Sequence, residues 1–220
     1  MLSKEQCRAV IAQRVAQEFK QGDVITLGIG LPTEVANYIP HEVEVIFHSE
    51  NGLLGVGRHD PTAGENPKVT NAGGIAITTR PGAAFFDTAT SFAMIRGGHI
   101  NATVLGALQA DQHGNLANWM IPGAFIPGMG GAMDLVVGAE RVIIAMEHTN
   151  KGQPRILKEC TLPLTAAGEV DLIVTERSVL EVTPKGLVLK EINPTFSLQE
   201  VINSTEADLI IADTLSEIAV

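Results

Sequence analysis

Glu50 lies in the pentapeptide His48-Ser49-Glu50-Asn51-Gly52, a setting that puts a carboxylate where a nucleophile could act. The run before it, Val43-Glu44-Val45-Ile46-Phe47, alternates apolar and polar residues and then turns apolar. That pattern predicts a β-strand entering a buried sheet. Gly52, Gly55 and Gly57 follow directly and suit a loop in which the backbone turns sharply or lets a ligand approach. Glu50 is therefore expected at the end of a core strand, aimed into a crevice, where ligands sit in open α/β sheets. An isolated Glu at a strand end is ordinarily a solvated surface residue. The flanking Ser, Asn and glycines set this one apart.

A second segment could complement such a nucleophile. Gly128-Met129-Gly130-Gly131-Ala132-Met133-Asp134 places a glycine run ahead of a short helical stretch. Consecutive backbone N–H groups exposed there could hold a developing oxyanion. The same residues would also serve a plain tight turn that needs positive φ. Other chemistries find less support. Gly28-Ile29-Gly30 follows a strand pattern, but Thr33 occupies the place of the third glycine of a dinucleotide fingerprint, and Pro32 intrudes. No P-loop motif and no G-x-S-x-G elbow occurs. The six histidines form neither H-x-x-x-H nor H-E-x-x-H, and no Cys lies beside them, so no metal site is expected. His48 and Ser49 are adjacent on a strand and point to opposite faces, which argues against a Ser–His pair.

The elements that must carry these residues read as an alternation of helix and strand. Ser3 followed by Gln6 is a capping-box pattern, and Cys7, Ile11, Val15 and Phe19 recur every four residues, predicting a helix that ends near Gly22. A strand over Asp23 to Leu27, a helix over Thr33 to Tyr38 and the strand Val43 to Phe47 complete an α-β-α-β opening. That is the rhythm of an open, mainly parallel sheet flanked by helices. The polar, Gly- and Pro-rich stretch from Arg58 to Asn71 is expected to be a mobile loop. Beyond it the pattern predicts a helix over Ser91–Arg96 and a strand over Thr103–Ala110, and then a turn before Asn115–Trp119. Val142–Met146 is wholly apolar and is expected to be a central strand buried on both faces. Leu172–Val182 and Leu187–Ile192 are predicted as antiparallel strands, Leu198–Asn203 as a helix and Asp208–Ala212 as a final strand. With no linker, repeat or low-complexity segment, residues 1–220 are expected to form one domain.

Composition narrows the function classes. The chain has 220 residues, enough to bury a proper core. At 4% aromatics within 45% hydrophobic residues, that core must rest on Val, Ile, Leu and Ala. A formal net charge of −10 argues against nucleic-acid or anionic-membrane partners, which require clustered Lys and Arg. Cys7 and Cys160 are read as buried free thiols of a reducing compartment, with a disulfide as the lesser alternative. The polar N-terminus does not read as a signal peptide, and no apolar run approaches the ~20 residues that span a bilayer. A cytoplasmic, soluble protein is expected.

Taken together, the motifs resemble the B (β) subunit of class I, 3-oxoacid-type CoA-transferases. That family's glutamate signature, a His or Gln followed by S-E-N-G and two apolar residues, stands here as His48 through Leu54. Leu27 through Pro32, Ser91 through His99, Gly114 through Trp119 and Gly128 through Leu135 match as well, in the family's order. The resemblance runs from about Val10 to Thr165 and more loosely beyond. It implies an open, mainly parallel α/β sheet related to that of sugar-phosphate isomerases, and a ping-pong exchange of CoA between acids. It implies Glu50 as the covalent nucleophile, Gly131 as the backbone donor to the thioester oxyanion, and Gly130 as the neighbour that shapes that loop. It implies no metal and no cofactor, CoA being a substrate held covalently during turnover. A separate A subunit is the implied partner, in an A2B2 assembly.

Three departures bear on the substrate. Thr26 stands where family members commonly carry Asn, Gly74 where the succinyl-using branch carries Lys, and Arg58 where Pro is more usual. Without a Lys at 74 to pair a second carboxylate, the expected substrates are acetoacetyl-CoA and a short monocarboxylate such as acetate or butyrate. The alternatives are the B subunit of a succinyl-CoA:3-oxoacid CoA-transferase and a non-catalytic binding or regulatory subunit of the same fold. A sugar-phosphate isomerase or lactonase of related fold would need grouped polar residues that cannot be assigned here.

Overall fold

The computed structural model describes residues 2–57, 68–124 and 128–219. Most of the expected stretch from Arg58 to Asn71, and Pro127 at the head of the second glycine segment, lie outside the described residues. Helix α1 (Lys4–Ala16) is opened by the capping box, with Ser3 Oγ accepting the Gln6 N–H and the Gln6 side chain bonding back to the Ser3 N–H. The helix stops six residues before Gly22, and the chain then turns through that glycine. Strand β1 (Val24–Leu27) leads into a short helix α2 (Leu31–Glu34), which tightens into a 3-10 turn over Val35–Asn37. Strand β2 is Ile46–Ser49, three residues later than the alternation suggested, so the strand ends immediately before Glu50.

Where a glycine loop was expected, the chain instead makes β3 (Leu53–Val56), and β4 (Thr79–Phe85) pairs with it. Both pairings of β3 are antiparallel. A Cβ at Gly55 would come within 3.1 Å of Ala83 Cα, so that glycine serves close strand approach and not a loop. Helix α3 (Thr88–Arg96) begins at the Asp87 cap, earlier than predicted. The predicted strand Thr103–Ala110 is split at Gly106 into β5 (Ala102–Leu105) and β6 (Gln109–Asp111), and β7 (Leu116–Ala117) pairs with β6. Helix α4 is Ala132–Gly138 and β8 is Val142–Ala145. The short strands β9 (Thr149–Asn150) and β10 (Gln153–Pro154) pair together, and β11 (Ile156–Leu157) joins β6. Strands β12 (Leu172–Val174), β13 (Ser178–Thr183) and β14 (Gly186–Ile192), helix α5 (Leu198–Asn203) and β15 (Leu209–Glu217) follow.

Among the described residues, ten strands form one sheet in the order β15-β14-β13-β12-β8-β5-β1-β2-β3-β4. Its centre, β12-β8-β5-β1-β2, is parallel throughout, and antiparallel hairpins extend it on both sides. As expected, β8 is central and wholly buried. One face packs against α1 and α2 through Ile11, Val15, Ile25, Phe47, Val104 and Ile143. The other packs against α3, α4 and α5 through Ile95, Leu135, Val201, Leu105 and Ile144. Strand alternation therefore sends Thr26, His48 and Thr103 towards the α3 side. The order reverses at β1, which has β2 on one flank and β5 on the other, and the crevice outside the carboxyl ends of such strands is where open sheets bind ligands. Cys7 and Cys160 are free but half-buried, not buried as expected. Among the described residues no helix is long and apolar enough to cross a membrane.

Candidate active site

Three carboxyl ends meet at that reversal. Leu27 and Gly28 leave β1, Glu50 leaves β2, and Leu105 and Gly106 leave β5, and all five line a crevice of about 630 Å3. Gly28 through Ile29 form one rim, Asn71 through Gly73 a second, and Asn118 and Trp119 a third. Gly128 through Ala132 line it as well. Gly28 thus serves strand packing, since a Cβ there would press within 3.1 Å of Val104 O and Leu105 Cδ2.

The Glu50 turn is laced to the neighbouring loop by its own motif. Ser49 Oγ donates to Asn51 Oδ1 at 2.6 Å and accepts the Ala72 N–H at 3.1 Å, while Asn51 Nδ2 donates to Thr70 O at 2.8 Å. Across the crevice, Asn118 Nδ2 donates to Gly106 O at 3.1 Å and the Asn118 N–H bonds Thr165 Oγ1. These bonds make the Ser and Asn beside the glutamate props of its turn.

Glu50 itself meets Gly131. A Cβ built on Gly131 would stand 2.6 Å from Glu50 Oε2 and 3.0 Å from Oε1, so only glycine leaves room for the carboxylate there. Burial pushes the Glu50 carboxyl above its usual range, the Gly131 backbone N–H pulls it back, and the Asp134 charge adds to the rise. Gly130, the predicted neighbour, adopts φ +57°, a left-handed conformation that L side chains rarely take, with open space around its α-carbon. The two segments singled out for chemistry, 130 and 131 on one hand and 50 on the other, are thus brought into contact. Gly74 does not line the crevice; it lies one residue beyond Gly73, with φ +76°.

Sequence reasoning missed what lies beneath Glu50. His48 is 3% exposed, with Nδ1 at 2.9 Å from Thr26 Oγ1 and Nε2 at 2.9 Å from Ser91 Oγ. Burial pushes the ring down to about 4, so it is neutral at ordinary pH. The identity of position 26 was the available signal, because a polar residue in an otherwise apolar strand must find a partner.

A half-buried carboxylate beside a backbone donor, at the switch point of a parallel sheet, is an arrangement that could attack an acyl carbon and hold the oxyanion that forms. Residues 8–204 match the family model described as Coenzyme A transferase, and the chain belongs to that family. It is 51% identical over 214 residues to the beta subunit of the acetate CoA-transferase of Haemophilus influenzae, covering 97% of this chain and 96% of that one. It is 49% identical over 202 residues to the B subunit of the succinyl-CoA:3-ketoacid coenzyme A transferase of Helicobacter pylori, covering 91% and 97%. Among solved structures, the acyl-CoA transferase apoenzyme of Escherichia coli O157:H7 shares the fold, with a TM-score of 0.79 at 21% identity over 99% of this chain. The present chain spans 44% of that longer one.

Proposed function

We propose that this chain is the B subunit of a CoA-transferase that moves CoA between acetoacetyl-CoA and a short carboxylate, with Glu50 as covalent nucleophile. Residues 1–220 would act as one domain, and a separate A subunit would complete an A2B2 enzyme. What supports the partner is the naming of the relatives as beta and B subunits. The observation that carries the mechanism is the contact between the half-buried Glu50 carboxylate and the Gly131 backbone.

A Glu50 oxygen attacks the thioester carbonyl carbon, and the C–S bond breaks to release CoA thiolate and leave an acyl-glutamyl anhydride. The thiolate attacks the glutamyl carbonyl, expelling the first acid as its carboxylate and leaving CoA on Glu50 as a thioester. An acceptor carboxylate reverses both steps and restores Glu50 as a carboxylate, with no net proton consumed. A carboxylate suits the task because an anhydride and a glutamyl thioester both stay high in energy, so the thioester's free energy is passed on. A serine ester would lie too low. In the free chain the Gly131 N–H is spent on Glu50. As negative charge leaves Glu50 for the thioester oxygen, the same donor becomes available to the oxyanion, with Gly130 shaping the loop that aims it. Removing water from the carboxylate favours attack and protects both intermediates from hydrolysis.

CoA is a substrate here, and the reaction needs neither metal nor further cofactor. For the acceptor, short monocarboxylates are favoured over succinate, because position 74 offers no cation; the 49% identity to the B subunit of a succinyl-CoA:3-ketoacid transferase keeps the succinate-using alternative as the second reading. A non-catalytic subunit would have no need of a glutamate so placed. The test is Glu50→Gln in the enzyme co-expressed with its A subunit. Transfer should fall by at least ~10⁴-fold, the scale seen when a covalent nucleophile is deleted. Undiminished transfer would end the proposal.

A further inference from the structure

We propose that His48 is a positioning residue, whose two buried hydrogen bonds clamp α3 to β1 and β2 and so fix the Glu50 carboxylate against the Gly131 amide. The inference rests on the assignment of Glu50 as nucleophile. His48 lies in β2 two residues before Glu50, which follows directly on the end of that strand, and its ring joins Thr26 of β1 to Ser91 of α3 by bonds of 2.9 Å each. Thr26, His48 and Ser91 are all buried, and Thr103 Oγ1 of β5 extends the set by donating to Thr26 O at 3.4 Å. A neutral imidazole offers one donor and one acceptor, and each hydroxyl can take either role, so both ring nitrogens are satisfied in either tautomer.

Helix α3 is the physical link to the other half of the site. The Gly138 backbone of α4 sits directly on the Ile95 carbonyl of α3, with no room for a Cβ. Arg96 Nε of α3 also donates to Asp134 Oδ1 of α4 at 2.6 Å. Gly131 immediately precedes α4. Moving α3 relative to β2 therefore moves Gly131 relative to Glu50. Apolar side chains could fill the same volume at no loss of stability, since buried hydrogen bonds contribute little net once desolvation is counted. What directional bonds add is a fixed spacing between elements. The Phe86 ring lies nearly parallel to the His48 ring, with the centroids 6.2 Å apart.

The charge acting on Glu50 is that of Asp134 of α4, which repels it and is itself paired with Arg96 of α3; His48 of β2 is neutral. Loss of the clamp should weaken the Gly131 N–H bond that holds the Glu50 carboxyl down, so the acid limb of kcat/KM should move to higher pH.

The experiment uses the enzyme assembled with its A subunit. His48→Leu keeps volume and removes both bonds. With displacements of order 1 Å costing up to ~10²-fold, kcat should fall about 10- to 100-fold while KM for acetoacetyl-CoA stays within about twofold. His48→Gln carries a donor and an acceptor and should recover most of the loss. In a Gly131→Ala background, where Glu50 is already displaced, His48→Leu should cost less than about threefold, the coupling expected of residues acting through one contact. Should His48→Leu fail to fold, Thr26→Val and Ser91→Ala each break one end and are read by the same criteria. A wild-type kcat in folded clamp variants, or the same fold-loss with and without Gly131→Ala, overturns the proposal. The nucleophile assignment fails separately, through an active Glu50→Gln enzyme.

Discussion

Replacing Gly131 with alanine tests the contact at the heart of the site with one methyl group. The added Cβ would lie 2.6 Å from Glu50 Oε2, where ordinary contact begins at 3.4 Å, so the carboxylate must retreat by about 0.8 Å. Because that carboxylate ends a flexible side chain, the fold need not strain to accommodate it. Gly131 has φ −83°, which alanine adopts freely, and a Gly→Ala change at such a position stabilises by about 0.4–1 kcal/mol through the unfolded chain. Stability and activity should therefore part company. Thermal unfolding of Gly131→Ala should be unchanged or slightly higher, while kcat falls by about 10²-fold, the cost of a displacement near 1 Å at a reacting atom. Gly131→Pro adds the same Cβ and also deletes the N–H, which should cost a further ~10²–10³-fold for one lost oxyanion donor. Steady-state CoA transfer by the A–B complex, with thermal melts of the same preparations, reads both quantities. A Gly131→Ala enzyme with wild-type kcat would show that the Glu50–Gly131 contact has no part in the reaction.

Three further outcomes are expected. Burial raises the Glu50 pKa, so kcat/KM should fall as pH drops through a value above the ordinary carboxylate range; by the same sign, the buried charge costs stability at neutral pH, and Glu50→Gln should melt higher there but not in acid, where both forms are uncharged. An acceptor screen should rank acetate or butyrate above succinate; Gly74→Lys should raise succinate use relative to acetate only if the side chain reaches inward from a residue whose φ of +76° any lysine would find strained, and a native preference for succinate would refute the ranking. Purified alone, the chain should be folded by circular dichroism yet inactive until an A subunit is added, and robust transfer by the lone chain would refute the two-subunit arrangement.

Local signals carried much of this fold. The Ser3–Gln6 capping box, the apolar run of β8 and the helix Leu198–Asn203 each appear as expected because each is specified by residues a few positions apart. The β3–β4 hairpin was not legible, because its glycines resemble loop glycines until the partner strand is seen to need their bare α-carbons. The shift of β2 from Val43–Phe47 to Ile46–Ser49 has a similar origin. His48 and Ser49 are polar, and a strand was expected to stop before them, yet both are buried by bonds to residues elsewhere in the chain. Glu50 and Gly131 could each be picked out as chemically apt, but their contact depends on α3, whose docking on His48 through Ser91 no periodicity records.

The central claim is that CoA becomes attached to Glu50. The complex should be incubated with acetoacetyl-CoA without acceptor and digested, and the masses of its peptides measured. A CoA adduct is expected on the peptide carrying Glu50, removed by hydroxylamine and absent from Glu50→Gln. A competent enzyme that carries CoA on a different residue, or passes it on with no covalent state, would contradict this mechanism.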